Sequence, residues 1–179
     1  GAVGKKLTVI AHTGCFDTAS TIELTQHAQK VGAAAAGVVT PGFFTFDDEC
    51  LYTHFKTVAE SVKGFPILLY NIPGCVKNVI KPSLVHRLAK DVTNIIGMKD
   101  SGGNMSAFNE VMLGVPKGFV AINGVDEYSM QALAVGGAGW LAGPYVSMKL
   151  SDAIVFDARA ALGQSDNDVR RFGTYKDSF

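Results

Sequence analysis

At 179 residues the chain fits one domain, long enough to bury a real core but short of the roughly 250 residues of a closed eight-stranded α/β barrel. Its 16 basic and 16 acidic residues balance, so no strong field favours nucleic acid or an anionic membrane, and a small-molecule function fits better. No apolar run approaches the roughly 18 to 20 residues of a membrane-spanning helix, and the start, GAVGKKLTVIAHTG, lacks a signal-peptide layout, so a soluble, cytoplasmic protein is expected.

The first element, LTVIAHTG (residues 7–14), is a short apolar run closing on polar residues and glycine, and it predicts a strand. DTASTIELTQHAQKVG (17–32) predicts a helix with an Asp or Thr cap, Ile22, Leu24, Ala28 and Val31 turned inward, and Gly32 as the stop. A second strand is expected in AAGVVTPGFF (35–44), followed by a helix in DDECLYTHFKTVAESVKG (47–64) with Leu51, Phe55 and Val58 on one side. FPILLYNIPG (65–74) predicts the third strand. The helix after it, KPSLVHRLAKD (81–91), carries Pro82 near its first turn, where a missing N–H does no harm. NIIGMKDSGG (94–103) and FVAINGVDE (119–127) predict two more strands, each followed by a helix, in NMSAFNEVMLG (104–114) and EYSMQALAVGG (127–137). AGWLAGPYV (138–146) reads as a sixth strand, and the tail SDAIVFDARAALGQSDNDVRRFGTYKDSF as one helix and the start of a second.

Strands alternating with helices imply a parallel α/β sheet, because parallel neighbours need crossover connections. An open dinucleotide-binding sheet would want a GxGxxG loop after the first strand, and HTGCFDTAS has none. All six strands end in small or reactive residues, as the mouth of a (β/α)8 barrel requires. The expected fold is therefore a TIM (β/α)8 barrel type present as about six βα units, with residues 1–148 as a partial barrel and 149–179 as the start of a C-terminal helical extension.

Lys99 stands out. It sits near the end of an apolar strand, although lysine is rarely buried without a partner or a job. A strand that is apolar through Met98 points Lys99 into the barrel or its mouth, where partial burial disfavours the ammonium and favours the free amine that attacks carbonyls. The preceding strand ends in Tyr70, and a phenol beside the amine could pass protons to and from a carbinolamine. His12, at the end of the first strand, could line the mouth, but a lone histidine there reads first as a hydrogen-bonded structural residue. His27, His54 and His86 fall on helices with no metal spacing. Cys15, Cys50 and Cys75 are odd in number and not in CxxC spacing, which predicts reduced thiols and neither a disulfide framework nor a zinc site.

LLYNIPG, followed about 25 residues later by IIGMKDSGG and preceded by VIAHTG and VVTP, resembles the dihydrodipicolinate synthase and N-acetylneuraminate lyase family of pyruvate-dependent class I aldolases. The resemblance runs from about Leu7 to Met148. It implies a (β/α)8 barrel, a dimer or tetramer, a Schiff base on Lys99 with pyruvate or a 2-oxo acid, and Tyr70 as the proton shuttle, with neither metal nor organic cofactor. It further implies backbone contacts to the pyruvate portion from Gly124 and Leu141.

Three departures shape the expectation of function. Where synthases of this family usually have a second tyrosine and an arginine, this chain has Phe43 (or the adjacent Phe44) and Cys75, and neither can relay a proton or grip a carboxylate bidentately. The loop NGVDE instead resembles lyases of sialic acid and related sugar acids, which implies that Asp126, Glu127 and Ser101 accept hydrogen bonds from substrate hydroxyls. Asp126 and Glu127 equally suit a helix N-terminus. The chain also begins at what the resemblance makes the third strand, before which two βα units and a carboxylate-holding loop would stand. The leading expectation is a lyase or aldolase acting on a 2-keto-3-deoxy sugar acid or a sialic-acid-like substrate. The alternatives are dihydrodipicolinate synthesis from pyruvate and aspartate semialdehyde, a related dehydratase, or a non-catalytic barrel fragment used in binding or assembly.

Overall fold

Each of the six apolar runs contributes a strand. The computed structural model describes residues 8–140, 145–151 and 154–159, with side chains through residue 139. Strands β1 (Ile10–His12), β2 (Ala35–Val39), β3 (Ile67–Asn71), β4 (Ile95–Asp100), β5 (Val120–Asn123) and β6 (Gly139–Trp140) form one parallel sheet whose spatial order is the chain order. Helices α1 (Thr18–Lys30), α2 (Asp48–Ser61), α3 (Pro82–Asp91), α4 (Met105–Gly114) and α5 (Ser129–Ala134) make the crossovers. A doubly wound open sheet reverses its strand order at a switch point. The unreversed order here is that of a barrel wall, and it gathers every strand's C-terminal end on one rim.

Burial explains the strand sequences. All five residues of β2, AAGVV, are buried, as expected for a parallel strand covered on both faces. On the helix side, Ala36, Val38, Ile67, Leu69 and Met98 pack against Leu51, Phe55 and Val58 of α2 and Leu84, Val85 and Leu88 of α3. Each large side chain so buried contributes roughly 1.5–3 kcal/mol. Pro82 opens α3 as anticipated.

Helix α1 departs from the sequence reading. Asp17 is its cap, accepting from the Ser20 N–H at 2.8 Å, and Gly32 ends it with φ +82°. Its buried residues, however, are Thr21, Thr25 and Ala28, while Leu24 and Val31 are exposed. The threonine hydroxyls spend their donors inside the protein: Thr21 on the Asp17 carbonyl at 2.7 Å and Thr25 on the Thr21 carbonyl at 2.7 Å. Thr21 Oγ1 also accepts from the Cys15 N–H, and Thr25 Oγ1 lies 2.8 Å from Thr13 Oγ1 of the β1–α1 loop. A hydroxyl satisfied by its own helix behaves as a small core residue, which hydropathy does not register.

The tail departs further. Where a helix was expected from Ser151 onward, Tyr145–Ser151 (β7) and Ile154–Arg159 (β8) pair as an antiparallel ribbon. Ile154, Val155 and Phe156 are strand-forming side chains, and three in succession outweigh the helix-like pattern of the residues after them.

His54, on α2, is 5% exposed. Its Nδ1 lies 2.9 Å from Thr18 Oγ1, tying α2 to the start of α1, and its Nε2 has no partner among the described residues. Burial lowers its pKa to about 4, against a smaller opposing pull from Asp17. The unfolded chain therefore takes up a proton near pH 6.5 that the folded chain refuses until about pH 4. Stability is full above pH 6.5 and is expected to fall by up to about 3 kcal/mol across that window. Denaturant midpoints at pH 7.5 and pH 4.5 measure the loss, and His54→Leu should flatten this part of the profile.

Candidate active site

The parallel register of β3 and β4 sets Tyr70 opposite Lys99 and Asn71 opposite Asp100. Successive residues of a strand face opposite sides, so the first pair shares the mouth and the second lies behind it. Lys99 Nζ donates to the Tyr70 hydroxyl at 3.0 Å and stands 4.3 Å from the centroid of its ring. Both side chains are half-buried, with the amine held by a phenol rather than by a carboxylate.

Asn71 and Asp100 brace that pair from behind. Both are buried, and Asn71 Nδ2 donates to Asp100 Oδ1 at 2.8 Å. The same carboxylate oxygen accepts from the Gly102 N–H at 2.8 Å, while Asn71 Oδ1 accepts from the Ile80 N–H at 3.1 Å. Main-chain bonds from Ser101 to the Asn71 carbonyl at 2.8 Å and from Gly124 to the Asp100 carbonyl at 2.7 Å complete the lattice. The ends of three adjacent strands are thus fixed to one another at the residue where each would otherwise fray. The part played by Asp100 was missed, although its place beside Lys99 was the available signal.

Ser101 and Gly124 converge on the amine. A β-carbon on Gly124 would collide with Ser101 Oγ and sit 3.0 Å from Lys99 Cε, so any larger residue here would displace the Ser101 and Lys99 side chains. Asp126 and Glu127 are exposed in a 3₁₀ turn (Asp126–Tyr128), whose Asp126 carbonyl accepts from Ser129 Oγ at 2.7 Å. Cys75 is exposed in the loop after β3, its N–H closing a turn on the Ile72 carbonyl at 2.9 Å. Leu141 lies outside the described residues.

The structure adds a contact for one residue and a role for another. His12, read as a structural histidine, instead sets its ring edge-on to Tyr70 with centroids 5.8 Å apart. Partial desolvation, and secondarily the Lys99 ammonium, push its pKa down. Asn78 is buried and cross-braces two loops of the rim. Its Nδ2 donates to the Pro41 carbonyl at 2.6 Å and the Phe44 carbonyl at 2.7 Å, and its Oδ1 accepts from the Phe46 N–H at 2.8 Å. This holds the loop that presents Phe43 and Phe44, both exposed and packed edge-to-face at 4.9 Å. No local pattern marks Asn78, because its partners lie 32 to 37 residues away.

The arrangement is a nucleophilic amine, a phenol in proton-transfer range of it, a serine hydroxyl and a glycine-lined approach. Such a set of groups is chemically able to attack a carbonyl with proton relay. Comparison with known proteins gives the family. The model of the dihydrodipicolinate synthetase family matches residues 1–160. A 4-hydroxy-tetrahydrodipicolinate synthase of Desulforamulus reducens is 41% identical over 137 residues, which are 76% of this chain and 46% of that protein. Dihydrodipicolinate synthase from Aquifex aeolicus superposes with a TM-score of 0.75 at 34% identity, covering 78% of this chain and 47% of that one. YagE, an E. coli K12 prophage protein of the same family solved in complex with pyruvate, gives 0.73 at 33% identity, covering 77% and 47%. The chain spans about half the length of the curated relatives it matches. On its sequence, its barrel-wall topology and its lysine–tyrosine pair, this chain belongs to the dihydrodipicolinate synthetase family.

Proposed function

We propose that this chain carries the Schiff-base half of a pyruvate-dependent class I aldolase, and that the reaction is the condensation of pyruvate with an aldehyde, as in a synthase of this family. The observation that carries the reading is the 3.0 Å contact between Lys99 Nζ and the Tyr70 hydroxyl. The amine attacks the ketone of pyruvate to give a carbinolamine, and Tyr70 supplies the proton with which water leaves. The resulting iminium draws electrons from the adjacent carbon, which loses a proton to become an enamine and then adds to the aldehyde. Hydrolysis returns Lys99 and the product. Ser101 and Gly124 flank the amine, and their placement fits contacts to the 2-oxo acid. The relatives' names favour the synthase reading, in which aspartate semialdehyde is the second substrate.

A second reading, cleavage of a 2-keto-3-deoxy sugar acid or a sialic-acid-like substrate to pyruvate, runs the same imine in reverse. It is favoured by Phe43 and Cys75 standing where synthases of the family carry a tyrosine and an arginine, and by exposed Asp126 and Glu127 on the strand-end turn after Gly124. A soluble, cytoplasmic homo-oligomer with small-molecule partners belongs to the same proposal. Among the described residues no helix is long and apolar enough to cross a membrane.

Borohydride reduction in the presence of pyruvate tests the chemistry common to both readings. A mass increase on the peptide bearing Lys99 is expected, and no trapping in a folded sample would leave the non-catalytic barrel fragment as the better account. Cys75→Arg separates the two substrates. On the synthase reading it should raise condensation with aspartate semialdehyde by about 10-fold or more, since a bidentate guanidinium–carboxylate contact replaces a thiol. An unchanged rate, with release of pyruvate from sugar acids, would favour the lyase.

A further inference from the structure

We propose that His12 is a positioning residue for this site, holding the Tyr70 ring in the orientation that brings its hydroxyl to Lys99. The inference rests on the Schiff-base reading for its catalytic consequence, although the packing itself does not.

The topology puts the two rings together. His12 pairs with Gly37 on β2, and Gly37 pairs with Leu68 on β3, so along the hydrogen-bonding direction His12 is level with a residue two short of Tyr70. The tilt of barrel strands makes up the difference, because alternate strands contribute the side chains of one layer and β1 and β3 are alternate. The intervening position has no side chain to obstruct the reach across β2: Gly37 is the residue between them. The imidazole consequently meets Tyr70 edge-on at 5.8 Å between centroids and an interplanar angle of 81°. Lys99 Nζ lies over the Tyr70 ring at 4.3 Å from its centroid. Tyr70 is thus contacted from β1 by an aromatic edge and from β4 by the amine it serves.

The need for such a contact comes from the place of Tyr70. It is only half-buried, on a rim where a phenol with one neighbour can change rotamer. Proton transfer to a carbinolamine requires a heavy-atom approach of about 2.6–3.2 Å, and a displacement of about 1 Å can cost on the order of 100-fold in rate. A second ring packed against the phenol keeps the hydroxyl within that range. The lowered pKa of His12 fits the role, since a neutral imidazole adds no second cation beside Lys99.

The test compares wild type, His12→Ala and His12→Phe in the full-length protein. Turnover should fall about 10-fold in His12→Ala, the scale of one lost aromatic contact, and stay within about twofold of wild type in His12→Phe, with KM for pyruvate little changed in either. In protein labelled with fluorotyrosine, the Tyr70 fluorine resonance, assigned through Tyr70→Phe, should shift or broaden in His12→Ala and remain a single line in His12→Phe. Equal loss of turnover in both variants with an unmoved Tyr70 resonance would overturn positioning, because the imidazole would then be acting through its nitrogens. Unchanged turnover and an unchanged resonance in His12→Ala would overturn it outright. Should wild type form no imine, the Schiff-base reading fails, and the fluorine resonance alone decides whether His12 orients Tyr70.

Discussion

Replacing Lys99 with alanine is expected to abolish trapping of pyruvate by borohydride, leaving no mass increase at this position and turnover at background. Lys99 provides the only atom in the lysine–tyrosine pair that can form a carbon–nitrogen bond. The tyrosine across from it can move protons but cannot hold the substrate as an imine. The substitution should leave the fold intact for a specific reason. The ends of β3 and β4 are secured by Asn71, Asp100 and the main-chain bonds of Ser101 and Gly124, all on atoms that alanine does not touch. Circular dichroism and the denaturant midpoint should therefore match wild type while trapping is lost. Persistent trapping in Lys99→Ala, mapped to another lysine, would mean that the nucleophile has been wrongly assigned.

Tyr70→Phe should behave differently, slowing the reaction about 100-fold or more while leaving imine trapping slow but detectable. Phenylalanine keeps the ring that His12 meets edge-on and over which Lys99 Nζ sits, so the shape of the site survives. What disappears is the oxygen 3.0 Å from Lys99 Nζ, and with it the group that gives and takes the proton as water leaves the carbinolamine. Carbinolamine formation can proceed with solvent protons, whereas each later proton transfer loses its positioned partner. Single-turnover trapping against steady-state turnover distinguishes these steps. Equal loss in both would indicate that Tyr70 chiefly orients the amine, and no loss in either would remove it from the mechanism.

The reach of the sequence can be judged from particular residues. Lys99 was conspicuous because a cation in an apolar strand has a large desolvation cost to justify, and Tyr70 came with it because parallel strands present equivalent ends to the same rim. The strands themselves were legible as apolar runs stopped by glycine, proline or polar residues. Helix α1 was legible in extent but not in face, since Thr21 and Thr25 hide their polarity in bonds to their own helix and so take positions that hydropathy assigned to Leu24 and Val31. The strand Ile154–Arg159 was not legible because its three strand-forming residues run directly into a stretch whose spacing also suits a helix.

What the sequence determined by itself, then, is the alternation of strand and helix and the choice of Lys99 and Tyr70 as the candidate pair, because periodicity and an unfavourably placed charge are local properties of the chain. Tertiary structure alone decided what surrounds that pair. His12 stands 58 positions before Tyr70 in the chain and comes to it only through the tilt of β1 relative to β3. Asn71 and Asp100 become one buried clamp only once β3 and β4 are in register, and the want of a side chain at Gly124 matters only when Ser101 and Lys99 crowd the space where its β-carbon would be. Contacts between residues distant in sequence depend on strand tilt and register, and those quantities exist only after the sheet has formed.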